Sequence, residues 1–148
     1  MPDTHVVREV KVVRRVEPAV GPVPLQRRPS YQAYQLLRFS YAILPIIAGV
    51  DKFFHWITSW EMYLSSSIEK MLPIPAETFM RISGGIEIAA GVLVAIVPRI
   101  GAWVVAAWLA GITVNLLLPP GYYDIALRDF GLMIGAIALG LLSRKYRK

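Results

Sequence analysis

Residues 100–118, IGAWVVAAWLAGITVNLLL, contain no charged side chain. A bilayer core about 30 Å thick takes roughly 20 apolar residues in a helix. Within hydrocarbon, every backbone N–H and C=O must find its partner inside the segment, which a helix achieves. This run therefore reads as a membrane span. Three others resemble it. Residues 36–54, LLRFSYAILPIIAGVDKFF, hold Pro45 and Gly49 and carry charge near both ends. Residues 79–97 are closed by Pro98. Residues 124–142, DIALRDFGLMIGAIALGLL, carry Arg128 and Asp129 in their first two turns. The predicted fold is all-α: a polytopic membrane protein built as a four-transmembrane-helix bundle.

The composition agrees. The chain of 148 residues is 55% hydrophobic with a mean hydropathy of +0.50, and only 18% of it is charged. Soluble domains carry about 25% charged residues. Most of the 16 lysines and arginines lie in residues 1–38 and 143–148. There is no cysteine, which excludes disulfides, thiolate metal sites and thiol redox chemistry. The segment MPDTHVVREVKVVRRVEPAV has no continuous apolar run of the signal-peptide kind. The internal apolar segments are therefore expected to drive insertion.

Loop charge predicts the orientation. The N-terminal region, the turn at Pro98-Arg99 and the tail SRKYRK are basic. The 55–78 loop sets Glu61, Glu69 and Glu77 against Lys70, and the loop PPGYY has no charge. Under the positive-inside rule both termini are cytoplasmic and the protein is multi-pass. Trp56, Trp60, Tyr63, Tyr122 and Tyr123 then fall at the outer boundary, where amphipathic rings sit. Residues 55–72, HWITSWEMYLSSSIEKML, space Trp56, Trp60, Tyr63 and Leu64 helically. They predict an amphipathic helix on the outer surface, ended by Pro73 and Pro75.

Residues 1–30 form a basic arm and a proline-rich linker with Pro18, Pro22, Pro24 and Pro29. Within the arm, HVVREVKVVRRV alternates valine with charge, a strand-like pattern. A lone strand is not stable in water. Either the arm is disordered or Val6, Val10, Val12 and Val16 add a strand to a cytoplasmic partner. Its cations also suit anionic headgroups. Nucleic acid is not an expected partner, because membrane topology already accounts for the charge.

Glu87 stands about eight residues inside the second span. A charge at such depth costs about 2.5–3.5 kcal/mol or more and normally faces a partner in the bundle interior. Gly84, Glu87 and Gly91 share a helical face, and Arg128, Gly131 and Gly135 repeat that spacing on the fourth span. Small residues let helices approach closely. These two stripes are expected to mate, pairing Glu87 with Arg128, while Lys52 serves Asp129. Arg81 and Asp51 lie at the same level. The expected outcome is a buried polar layer of Asp51, Lys52, Arg81, Glu87, Arg128 and Asp129. It either fixes helix register alone or forms a site for a quinone, a lipid headgroup or a proton. No catalytic or metal-binding residue is assigned. His5 and His55 are the two histidines, which excludes bis-histidine haem ligation within the membrane, and His55 reads as an interfacial residue. Asn115 is expected to bridge helices.

The motifs GVDKFF, GGIEIAAGVLV and ALRDFGLMIGAIAL together resemble the DoxX-like family of small bacterial membrane proteins, over about residues 34–143. The resemblance implies a compact four-helix bundle in the bacterial cytoplasmic (inner) membrane. It places the family's recurrent polar positions on Lys52, Glu87, Arg128 and Asp129. Some members are subunits of redox assemblies, including a thiosulfate:quinone oxidoreductase. The basic arm and the long aromatic loop depart from the common core and suggest docking to other membrane-complex subunits.

Three functions follow as expectations. The first is a non-catalytic accessory subunit of a larger electron-transfer complex, respiratory or photosynthetic, with no cofactor of its own. The second is a quinone-binding subunit of an oxidoreductase, with Glu87 accepting a proton and Arg128 orienting a carbonyl. The third is a small transporter or proton path, for which the chain shows no inverted repeat.

Overall fold

The computed structural model describes residues 23–146. Residues 1–22, and with them the strand expected around Val6, Val10, Val12 and Val16, lie outside the described residues. All elements described are helical. After a 3₁₀ turn at Leu25–Arg27 come α1 (Pro29–Phe54), a 3₁₀ turn at Trp60–Tyr63, the single turn α2 (Ser66–Glu69), α3 (Ala76–Ile96), α4 (Pro98–Leu117) and α5 (Tyr123–Lys145). Four of these helices, α1, α3, α4 and α5, are long and apolar enough to cross a membrane. The protein is a four-helix multi-pass membrane bundle. The span boundaries fall within three residues of the sequence expectation except at the start of α1. That helix begins seven residues earlier, because Pro29 at its first turn has no N–H to leave unsatisfied.

Consecutive long helices run antiparallel. The closest packing joins α1 to α3 and α4 to α5, the α3–α4 contact is smaller, and that between α1 and α5 is the slightest of the four. Glycine governs the first of these. A Cβ on Gly49 would stand 2.5 Å from the Gly84 carbonyl oxygen, and one on Gly84 would stand 2.6 Å from that of Gly49. Gly91 meets the Ala42 carbonyl in the same way, at 2.5 Å. Ala42 and Gly49 therefore face Gly91 and Gly84 two turns apart, backbone against backbone. Gly101 allows an equally close turn from α3 into α4, beside the Val94 backbone.

The two ends of the bundle differ. The packed core comprises Tyr34, Tyr41, Ala42, Ala90, Val94, Ala102, Val105, Ala106, Ala136 and Leu139. All of these lie toward the end that carries Arg27, Arg28, Arg38, Arg99, Arg144 and Lys145, here termed the basic end. Tyr31, Tyr34 and Tyr146 cluster there with centroids 5.3–6.1 Å apart. The hydroxyls of Ser30 and Tyr146 hydrogen-bond across α1 and α5, and the Arg38 guanidinium donates to the Ala95 carbonyl. The described carboxylates all belong to the other half, the acidic end.

Residues 55–72 do not form the single amphipathic helix expected. They fold into two short helical turns joined by extended residues. Side chains from the long helices hold their backbone: Asp51 accepts from the N–H groups of Trp56 and Ile57 at 2.9 Å each. Asn115 accepts from the Ser65 N–H at 3.0 Å and donates to the Tyr63 carbonyl at 2.7 Å. Asn115 thus ties a helix to the loop rather than bridging two helices. The Ser65 hydroxyl then caps α2 through the Ser67 N–H.

The glycine contacts give a direct test. Gly49→Leu or Gly84→Leu should destabilise the detergent-purified protein by about 2–3 kcal/mol, because the clash is with backbone. Gly85→Ala, which meets nothing within 4 Å, should change stability by no more than about 1 kcal/mol, in the stabilising direction. Equal thermal unfolding of the three variants would rule out the packing described.

Candidate functional site

Glu87 is buried, and its partner is Lys52. The Lys52 ammonium lies 2.6 Å from the Glu87 carboxylate, and the two residues are 5% and 6% exposed. The glycine register produces this pairing. A Cβ on Gly84 would stand 3.0 Å from the Lys52 Cβ, and Glu87 follows one turn along α3 on the same face. The second Glu87 oxygen accepts from the Trp108 indole N–H of α4 at 3.1 Å. Both carboxylate oxygens are thus engaged. The Lys52 ammonium also lies over the Trp60 ring, 3.7 Å from its centroid, a favourable cation–π contact. The Trp60 indole in turn donates to Asp51 at 2.8 Å. Asp51, 2% exposed, accepts three hydrogen bonds from the loop and forms no ion pair among the described residues.

The expected partnerships are therefore corrected. Arg128 does not reach Glu87: its side chain is 75% exposed, and its ion-pair partner is Asp124, one turn earlier, at 3.9 Å. The stripe of Gly131 and Gly135 does not mate with α3. Gly131 faces open space, and Gly135 receives the Tyr41 side chain of α1. Arg81 is also outside any buried layer, 54% exposed and paired with Glu77 at 2.7 Å. Lys52 is committed to Glu87 rather than to Asp129. Asp129 is half-buried and has no hydrogen bond or ion pair among the described residues, although Lys52 and Glu87 both act on it electrostatically.

Lys52 and Glu87 line a cavity of about 870 Å³ in the acidic half, whose lining draws on all four long helices. Lys52, Ser83, Glu87, Trp108, Asn115, Arg128 and Asp129 are among its polar groups, and Leu44, Ala48, Val105, Ile112, Leu116 and Leu132 are among its apolar ones. Trp60, Tyr63 and Leu64 of the loop also line it. Trp60 and Tyr63 accordingly turn inward rather than joining a boundary belt. Trp56 does stay outside, stacked on Phe54 at 4.7 Å. Pro45 lines the cavity as well; having no N–H, it leaves the Tyr41 carbonyl without its helical donor. The Tyr41 hydroxyl donates to the Leu132 carbonyl at 2.5 Å and closes the α1–α5 contact at that level. Beyond it toward the acidic end, Leu44 and Leu132, both largely exposed, line the cavity from α1 and α5. The cavity opens sideways there, with Arg128 on its rim.

His55 ends α1 in the left-handed conformation, φ 54°, and its ring approaches the Glu61 carboxylate at 2.9 Å. Hydrogen bonding from His55 holds the Glu61 carboxyl below its ordinary value of 4.5. Sequence reasoning missed Trp60, Trp108 and the Lys52–Glu87 pair. One signal for Trp108 was present: an indole N–H in mid-span needs an acceptor, and Glu87 was the acceptor available at that depth. Among the described residues no cluster of side chains suits a metal ion.

No protein family, curated protein or solved structure matches the chain.

Substitutions at these positions test this geometry. Lys52→Met, which strands Glu87, should destabilise by about 3 kcal/mol. The double variant Lys52→Met/Glu87→Gln should recover most of that loss, since glutamine still accepts from Trp108. Arg128→Ala should cost no more than about 0.5 kcal/mol, as expected of an exposed pair. A double-mutant cycle with coupling below about 0.5 kcal/mol would remove the ion pair from the account. Because the Glu61 carboxyl is lowered, its stabilising contribution is present above pH 4.5 and is lost as pH falls from there through the lowered value. The difference in melting temperature between wild type and Glu61→Gln, measured from pH 6 to pH 3, should close over that range. A difference constant down to pH 3 would show that the His55 contact contributes nothing.

Proposed function

We propose that this protein is a membrane-embedded binding subunit for a lipid-soluble molecule of the quinone class. It is non-catalytic alone and acts within a larger electron-transfer assembly of the bacterial inner membrane, with both termini cytoplasmic. The observation that carries the reading is the cavity: apolar and aromatic over most of its lining, with a few charged and polar side chains among them, and open laterally between two helices. Its volume lies within the range of pockets that enclose a small organic molecule, roughly 300–1,000 Å³. A quinone ring asks for flat apolar faces, which Trp60, Tyr63, Phe79 and Trp108 supply. Its carbonyl oxygens ask for donors, available from the ammonium of Lys52 and the guanidinium of Arg128. The reduced form adds two O–H donors, for which Asp129 is an uncommitted acceptor. An isoprenoid tail would leave through the α1–α5 opening into the acyl chains.

All four polar positions carried by the DoxX-like resemblance, Lys52, Glu87, Arg128 and Asp129, line this cavity, which supports keeping that family as the context. Charge asymmetry between the ends supports the orientation. Glu87 is already engaged on both oxygens, so its role in this reading is to hold Lys52 and Trp108 in place rather than to accept a proton.

Organic extraction of the purified protein should yield quinone in near-stoichiometric amount. Gly111 lines the cavity and has open space where a Cβ would stand. Gly111→Phe should therefore fill the site and lower bound quinone about tenfold or more, equivalent to 1.4 kcal/mol, while leaving the melting temperature near wild type. Absence of quinone from the native protein, or full occupancy in Gly111→Phe, would sink the proposal.

A further inference from the structure

The cavity lies in the acidic half, and a second concavity lies at the opposite end, between α4 and α5. It has a volume of about 480 Å³ and is lined by Arg99, Ile100, Trp103, Val104, Ala107 and Arg144. We propose that this groove binds one anionic phospholipid, its phosphate between Arg99 and Arg144 and an acyl chain along α4.

The arrangement of the lining carries the assignment. Arg99 is the second residue of α4 and Arg144 lies in the last turn of α5. The two guanidiniums thus reach the same rim from antiparallel helices. Neither pairs with a carboxylate among the described residues, and the described carboxylates all lie in the other half of the molecule. From that rim Ile100, Val104 and Ala107 follow one another at helical spacing down the face of α4, an apolar track leading toward the bilayer centre. Trp103 seats itself between the helices: a Cβ on Gly140 of α5 would stand 3.0 Å from its indole. A glycine therefore makes room for the ring, which stays 40% exposed at the depth where an indole meets both headgroup and chain. Two cations on one rim above an apolar track match a phosphate ester above an acyl chain. Guanidinium groups suit phosphate better than ammonium groups do, because their planar fork offers paired donors.

Delocalised attraction of the whole basic end to an acidic leaflet would act through every cation alike, at about fivefold in binding per charge near the surface. The groove predicts instead that two particular arginines matter. Native mass spectrometry of the full chain, released from nanodiscs of mixed phosphatidylglycerol and phosphatidylcholine, separates these. Wild type should retain one phosphatidylglycerol in preference to phosphatidylcholine. Arg99→Gln/Arg144→Gln should weaken that retention roughly tenfold or more. Arg27→Gln/Lys145→Gln removes the same charge from the same end outside the groove and should leave retention unchanged. Equal loss in both double variants would overturn the proposal in favour of diffuse attraction. Equal retention of phosphatidylcholine would overturn it through the headgroup. Full displacement by millimolar inorganic phosphate would show that the groove holds a free anion and not a lipid. Because both arginines are exposed and lie far from the Lys52–Glu87 pair, all variants should fold, and the melting temperature in detergent confirms that they do.

Discussion

The backbone contact between α1 and α3 fixes the rest of the acidic half. With Gly49 against Gly84 and Ala42 against Gly91, the two helices are held closer than side chains would permit. In lipid, where apolar side chains gain little by leaving one apolar medium for another, such close packing is a principal source of association. The contact also sets rotation and height. Lys52 and Glu87, one turn away from the touching glycines on each helix, are left with no direction to point except toward each other. Their pairing stabilises two charges that would each be costly alone at this depth, and it engages both helices with α4 through Trp108.

The four spans were legible in the sequence because hydrocarbon imposes a length and a polarity that few other environments demand. The contrast between basic and acidic loops was equally plain, and the coordinates collect those charges at opposite ends. The identity of Glu87 as a buried acid was also readable, since a glycine-flanked carboxylate in a span has few alternatives. Its partner was not readable. The stripe around Arg128 offered the same spacing as the stripe around Glu87, and one-dimensional spacing cannot say which pair of four helices will touch. Two short features decided it. Gly49 lies three residues before Lys52 and provides the close approach on α1, whereas Gly131 on α5 faces nothing. The 55–72 segment misled for a related reason. Its helical spacing of aromatics was real, but Asp51 and Asn115 bind its backbone from the ends of α1 and α4 and divide it into short turns.

The two halves of the bundle perform different physical tasks. Toward the basic end, alanines, Val94 and Leu139 fill the interior, and tyrosines stitch α1 to α5. Toward the acidic end the same four helices part around a cavity. A bundle that was loose at both ends would lack a reference from which to hold the cavity's polar groups in place. The tightly packed half supplies that reference, and the bond from Tyr41 to the Leu132 carbonyl marks the boundary between the halves.

The direction of access follows from which boundaries of the cavity are tied. Its roof, the segment from Trp56 to Ser65, is held by hydrogen bonds from Asp51 to two backbone N–H groups and the Trp60 indole, and from Asn115 to Ser65 and Tyr63. Opening that roof would strip a buried carboxylate of all three donors, a large cost in a medium with little water to replace them. Outward of Leu132 the α1–α5 side shows no such ties among the described residues, only the facing leucines and the exposed Arg128, whose partner Asp124 lies on its own helix. A molecule reaching the cavity's polar groups by the easier route therefore arrives from the bilayer and not from the aqueous side. This selects for solubility in lipid before any contact with Lys52 or Asp129 is made. In the proposed role the head would then meet the few polar groups of the lining, so the two stages of selection would fall on different parts of the same ligand.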